Sequence, residues 1–179
     1  MQRNIILVGF MGTGKSTIGR LLSRSLRYPL VDTDQHIESQ QEESISDLFS
    51  TYGEGFFREL ETTCLQDLMS KNHHVISTGG GIVTTAKNRP LLRELGYVVW
   101  LRTSPEEILL RTSKNKNRPL LNVPDPLPVI TKLLDERIPL YQEAAHLSIE
   151  TDHLRADEIV TGITESARYH FAQLDQDES

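Results

Sequence analysis

Short apolar runs alternate along this chain with longer stretches in which apolar residues recur every three or four positions. Ile5-Ile6-Leu7-Val8 is continuous and short, which predicts a buried strand. Ile18, Leu21, Leu22 and Leu26 then follow at helical spacing. Tyr28-Pro29-Leu30-Val31-Asp32 predicts a second strand, and a polar helical region runs from about Gln35 to Phe49 until Tyr52-Gly53 breaks it. Phe57, Leu60, Cys64, Leu65 and Leu68 mark an amphipathic helix. His74-Val75-Ile76-Ser77 predicts a third strand that ends in Gly79-Gly80-Gly81, and Tyr97-Val98-Val99-Trp100-Leu101 a fourth. Ser104-Pro105 opens the next helix, with Ser104 as N-cap and Pro105 in the first turn. Leu147-Ser148-Ile149-Glu150-Thr151 predicts a fifth strand, and a last helix runs from about Ala156 to Phe171, before a polar end over Asp175 to Ser179 that reads as frayed. Strands alternating with helices predict an α/β fold, a parallel sheet covered by helices on both faces. Ligands of such sheets bind at the carboxyl ends of the strands, which gathers Gly9, Asp32, Asp34 and Gly79 to Gly81 at one edge.

Between the first strand and the first helix lies Gly9-Phe10-Met11-Gly12-Thr13-Gly14-Lys15-Ser16-Thr17, which satisfies the phosphate-loop pattern in the strand–turn–helix context it requires. Gly12 and Gly14 let the backbone wrap closely enough for its N–H groups to point inward at an anion. The helix that follows adds the positive end of its dipole. Lys15 brings a compact positive charge to the β- and γ-phosphates, and Ser16 a hydroxyl for Mg²⁺. A nucleoside triphosphate is the ligand this run predicts.

The 179 residues are enough for one domain with its own core. A hydrophobic content of 37% with 25% charged residues is that of a globular chain rather than a disordered one. The net charge of -6 argues against a general nucleic-acid or anionic-membrane surface, while leaving room for a local basic site. The single cysteine, Cys64, excludes an internal disulfide and reads as a core position. No apolar stretch approaches a membrane span, and the N-terminal apolar run leads straight into the phosphate loop rather than to a cleavage site. A cytoplasmic monomer acting on small molecules is the expectation.

Two segments depart from simple alternation. About 34–61 inserts two helical pieces between strands and predicts a small substrate-holding subdomain. About 112–125 carries Lys114, Lys116 and Arg118 with no acid before Asp125. A solvated loop would fit that composition, but beside a phosphate loop the favoured reading is a lid that brings cations over the phosphates.

Several residues could carry chemistry. Asp32-Thr33-Asp34 ends the second strand; on an extended segment its carboxylates point to opposite sides, so one can organise Mg²⁺ while the other receives an acceptor hydroxyl. The alternative for Asp34 is a helix N-cap. Gly79-Gly80-Gly81 exposes backbone N–H groups and allows close approach of a ligand. Arg58 could simply pair with Glu61 one turn along, and Arg137 with a neighbouring acid, while Pro139 should kink or restart its helix. His73-His74 has no partners at metal-site spacing and reads as a strand entry, and Trp100 reads as core.

Taken together, the phosphate loop, Asp32-Thr33-Asp34, Phe57-Arg58-x-x-Glu61, Gly79-Gly80-Gly81, Arg118-Pro119-Leu120-Leu121 and Arg137-x-Pro139-x-Tyr141 resemble shikimate kinase in order and spacing over nearly the whole chain. The resemblance implies a nucleoside-monophosphate-kinase-like fold with a five-stranded parallel sheet in the order 2-3-1-4-5, and transfer of the γ-phosphoryl group of ATP to the 3-hydroxyl of shikimate. It implies that Asp34 bonds the shikimate hydroxyls, that Arg58 and Arg137 grip its carboxylate, and that the triplet, Gly80 above all, lends backbone contact. It implies Gly12 to Thr17 around the phosphates, Arg118 on the phosphates from the lid, Arg111 against adenine, and Ser16 and Asp32 at Mg²⁺. At the adenine position before the last helix the sequence has Leu154 followed by Arg155, where many relatives place a polar residue. Rival readings are a kinase of another small sugar acid such as gluconate, a GTP-driven switch, and a non-catalytic nucleotide-binding module. The nearest base-reading match for a switch, Asn115-Lys116-Asn117-Arg118, lacks the required acid.

Overall fold

The first strand, β1 (Asn4–Val8), is buried along its whole length, because helices cover the sheet on both sides of it. Its alternate side chains divide two cores. Ile6 and Val8 join Ile76, Val98 and Trp100 on one face, while Ile5 and Leu7 join Val75, Val99 and Leu101 on the other. The computed structural model describes residues 2–113 and 123–177.

Chain order continues with α1 (Lys15–Leu26), β2 (Leu30–Asp32), α2 (Thr33–Gln41), α3 (Ile45–Leu68), β3 (Val75–Ser77), a 3₁₀ turn (Ile82–Thr84), α4 (Asn88–Leu95) and β4 (Gly96–Arg102). After these come α5 (Pro105–Thr112), α6 (Pro126–Ala144), β5 (Leu147–Glu150) and α7 (Ala156–Asp177). The strands form one five-stranded sheet in the order β2-β3-β1-β4-β5, every neighbouring pair parallel. This is the predicted sheet and order. The residues of α1 and α7 (Ile18, Leu22, Ile159, Ile163) cover the face of Ile5 and Leu7, and those of α3, α4 and α6 (Phe57, Leu65, Leu92, Tyr141) cover the other. A third apolar cluster of Phe10, Ile108, Ile130 and Leu134 seats α5 and α6 beside the phosphate loop.

Several elements differ from the sequence reading. The polar region predicted as one helix from Gln35 to Phe49 is divided, because α2 ends at Glu42 in the left-handed conformation and Ser44 caps a new helix by accepting the Asp47 N–H. The predicted break at Tyr52-Gly53 is present as a kink inside α3, where Gly53 has φ 82 and ψ 172. The helix does not restart at Pro139: α6 runs through it, and Tyr141 and Ala144 beyond it are buried. Helix α4 was not read from the sequence. Ser104 does cap α5, accepting from the Glu107 N–H, with Pro105 in the first turn.

Candidate active site

The phosphate loop follows β1 directly. Gly12 and Gly14 have φ of 81 and 94, a region that side-chain-bearing residues rarely enter, and a Cβ on Gly12 would lie 2.9 Å from the Thr112 methyl group. Gly14 caps α1, so the helix begins at Lys15 and its first N–H groups face the loop. The Thr13 hydroxyl donates to the Phe10 carbonyl at 2.8 Å and braces the turn. Lys15 is buried and reaches back across the loop, its ammonium donating to the Gly9 and Phe10 carbonyls at 2.7 and 2.9 Å. Ser16 and Thr17 stand exposed on the first turn of α1.

At the end of β2 the structure corrects the reading of both acids. The helix α2 starts at Thr33, so Asp32 and Asp34 do not lie on an extended segment. Asp32, not Asp34, is the N-cap, its Oδ1 accepting the N–H groups of Asp34 at 3.1 Å and Gln35 at 3.4 Å. Asp34 is in the first turn, with its Oδ1 fully buried and without a hydrogen-bond partner among the described residues. Burial first, and the Asp32 carboxylate second, push its pKa up to about 6, against the opposing pull of Lys15 and Arg58. Both cations are therefore near enough to act on it.

Arg58 and Glu61 lie one turn apart on α3. The sequence allowed an ordinary surface pair, but the pair is largely buried. Arg58 Nη1 donates to Glu61 at 2.7 Å, while its Nε and Nη2 hold the exposed Glu54 at 3.2 and 2.8 Å. Glu61 has no exposure, and its Oε1 lacks a hydrogen-bond partner among the described residues. Burial pushes its carboxyl up to about 7, more than Arg58 pulls it down. Glu61 falls in line with Phe57, Leu65 and Leu68, all buried. A carboxylate inside an apolar stripe was the signal that it does more than pair with its neighbour on a wet surface.

The glycine triplet is where these groups meet. A Cβ on Gly79 would lie 2.6 Å from Asp34 Oδ1 and 3.0 Å from Glu61 Oε1; one on Gly80 would press on the Met11 N at 3.2 Å; one on Gly81 would collide with the Arg58 guanidinium. Each glycine thus lets a different wall approach: the acids, the phosphate loop and the arginine. The buried Thr33 hydroxyl accepts the Gly79 N–H at 3.1 Å and ties the triplet to α2. From α6, Arg137 Nη1 donates to the Gly80 carbonyl at 3.3 Å and its guanidinium lies 5.4 Å from the Phe10 ring centre, with no ion pair to an acid among the described residues. Lys15, Asp34, Arg58, Gly79 to Gly81 and Arg137 are therefore brought together from five separate parts of the chain.

The remaining candidates divide. Arg111, on the last turn of α5, pairs with Glu107 at 2.8 Å and reaches Thr151 beyond β5. Leu154 is exposed, and Arg155 bonds the carboxylate of Asp157. Arg118, with Lys114 and Lys116, lies outside the described residues. Cys64 is buried and its thiol is pushed up to about 12, in keeping with a core position rather than a nucleophile. His74 uses its N–H and ring to bond Asn4 and Asn72 at the entry to β3. Across Phe10 from the triplet, a cavity of about 280 Å³ lies between the ends of β4 and β5 and α6, and none of Asp34, Arg58 or the triplet lines it. Among the described residues no three His, Cys, Asp or Glu side chains are grouped to hold a metal, and no helix is long and apolar enough to cross a membrane. Magnesium takes few protein oxygens, and the Ser16 hydroxyl and the Asp32 oxygen not spent on the cap are each of the oxygen type it takes.

The chain is similar to known proteins in sequence and in fold. The family model described as shikimate kinase matches residues 11–168. A shikimate kinase of Dechloromonas aromatica (strain RCB) is 44% identical over 159 residues, 89% of this chain and 87% of that protein. A shikimate kinase from Acinetobacter baumannii, solved in complex with shikimate, superposes with a TM-score of 0.89 at 41% identity, covering 95% of both chains. A gluconokinase from Sinorhizobium meliloti 1021 superposes over 95% of this chain with a TM-score of only 0.56 and 17% identity, which is a likeness of fold alone. Matched over most of its length in both sequence and structure, the chain belongs to the shikimate kinase family.

Proposed function

We propose that this chain transfers the γ-phosphoryl group of ATP to the 3-hydroxyl of shikimate, giving shikimate 3-phosphate and ADP. The observation that carries the reading is Asp34: a buried carboxylate oxygen with no hydrogen-bond partner among the described residues, set against Gly79, within the fields of both Lys15 and Arg58. Such an oxygen suits a substrate hydroxyl as its missing partner.

The acceptor is a small carboxylate with several hydroxyls. Arg58 and Arg137 hold the carboxylate through charge-assisted hydrogen bonds, with the N–H groups of the triplet beside them. Asp34 accepts the 3-hydroxyl proton as that oxygen bonds to the γ-phosphorus and the bond from phosphorus to the β,γ-bridging oxygen breaks. Phosphoryl transfer passes through a loose transition state, so positioning and charge neutralisation dominate. Gly12 to Thr17 cradle the phosphates, and Lys15 turns from the Gly9 and Phe10 carbonyls to the phosphoryl oxygens. Ser16 and Asp32 would hold Mg²⁺, which neutralises phosphate charge when bound. Arg118 reaches the phosphates from a lid over about 112–125, Arg111 packs on the adenine, and 34–61 acts as the acceptor-holding subdomain. Lid closure excludes water and so suppresses ATP hydrolysis. The same reading makes the protein a cytoplasmic monomer working on dissolved substrates, with no nucleic-acid or membrane partner.

The test is a side-by-side assay of ADP release with shikimate and with gluconate as acceptors. Release that depends on shikimate, with gluconate at background, is the expected result. Release with gluconate alone would replace the acceptor assignment.

A further inference from the structure

Tyr141 has no solvent exposure, and its ring stacks on Trp100 with centroids 5.5 Å apart and planes 19° from parallel. Core packing alone would be served equally by phenylalanine. The hydroxyl, however, donates to the carbonyl of Gly80, the middle glycine of the triplet, at 2.6 Å. The same carbonyl accepts Arg137 at the longer distance of 3.3 Å. Arg137 and Tyr141 are four residues apart on α6 and so share one face of it. One helix therefore supplies both donors to one backbone oxygen.

The consequence follows from peptide geometry. No cis peptide bond is present among the described residues, so the Gly81 N–H points opposite to the Gly80 C=O. A carbonyl pinned to α6 turns that N–H away from α6. Among the described residues, neither the Gly80 nor the Gly81 N–H donates to a protein group. Burial also holds the phenol pKa well above its ordinary value, so the group remains a donor throughout the working range.

We propose that Tyr141 is a positioning residue for the acceptor: its hydroxyl fixes the Gly80–Gly81 peptide so that the triplet N–H groups face the substrate carboxylate. It also allows Arg137 to leave the Gly80 carbonyl for that carboxylate without stranding a half-buried acceptor, because the shorter of the two bonds stays in place. This rests on the reading of Arg137 and the triplet as the carboxylate grip.

Tyr141→Phe keeps the ring and its stack on Trp100 and removes only the donor. The expected result is a rise in the KM for shikimate of about threefold to tenfold, with kcat and the KM for ATP within about twofold of the parent. That split is one a loss of core stability would not give. In the unmodified protein, the Gly81 amide cross-peak should move on saturation with shikimate, a readout that stands even if the variant folds poorly. A well-folded Tyr141→Phe enzyme with the parent KM for shikimate would overturn the proposal, as would a Gly81 amide that ignores shikimate. Arg137→Ala, measured in parallel, separates the two levels. If it raises the KM and Tyr141→Phe does not, only the positioning role fails; if neither does, the carboxylate grip fails with it.

Discussion

The phosphate loop and the acceptor pocket lie on either side of Gly80 and are built on opposite principles. The loop is local. It is one run of nine consecutive residues, Gly9 to Thr17, held by glycine dihedrals and by the start of α1, and its charge is the one ammonium of Lys15. The acceptor pocket is assembled from α2, α3, the triplet and α6, and two of its ionisable side chains, Asp34 and Glu61, are placed where burial disfavours their charge. Asp34 and Glu61 are both pushed well above the ordinary carboxylate range. The buried ammonium of the loop donates to the Gly9 and Phe10 carbonyls, whereas the pocket holds a desolvated carboxylate whose natural remedy is a bound hydroxyl or a nearby cation.

The largest effect should come from the loop. Lys15→Ala removes the loop's own cation and should lower kcat on the order of a hundredfold to a thousandfold, with an unchanged circular dichroism spectrum; turnover near that of the parent would show that the phosphates are neutralised elsewhere. On the other side of the comparison, Arg58→Ala or Arg137→Ala should raise the KM for shikimate by roughly one to two powers of ten, since a charge-assisted bond contributes about 1.5–3 kcal/mol. Steady-state kinetics that show the change in the KM for ATP instead would place these arginines on the wrong substrate.

Titration gives a smaller effect with a definite sign. The folded pKa of Asp34 is raised to about 6 from 3.8. The stability this group contributes is therefore full below about 4 and is lost as pH rises through about 6. At pH 7.5 the parent carries the whole penalty. Asp34→Asn should make the ligand-free protein more stable there, by about 1 to 3 kcal/mol, with the gain shrinking toward pH 4. Urea titrations at the two pH values measure it. A gain that grows on acidification would mean that the carboxylate is stabilised, not strained, by its surroundings.

The contrast also explains what could be read from the residues alone. The strands, their order through the family resemblance, and the loop were legible because each rests on contiguous or strictly periodic residues. Asp32 and Asp34 were assigned to one extended segment because nothing local announces that α2 begins at Thr33; only the cap geometry of Asp32 reveals it. Helix α4 begins at Asn88 with no side-chain cap, no acid in its first turn and Pro90 inside it, so its start signals are weak. Glu61 was legible in principle, as a carboxylate within the stripe of Phe57, Leu65 and Leu68. The burial that pushes it to about 7 comes from tertiary contacts that no spacing encodes. Tyr141 stood in the sequence as part of a motif, but its hydroxyl acquires a role only when α6 is folded against a glycine sixty-one positions earlier.

The central claim is that Asp34 receives the acceptor hydroxyl at the junction of loop and pocket. Phosphorus NMR of shikimate and ATP incubated with Asp34→Asn and with the parent tests it most directly. The account predicts steady formation of shikimate 3-phosphate by the parent and almost none by the variant, although the variant folds and still binds ATP. Ester formation by Asp34→Asn at the parent rate would contradict it.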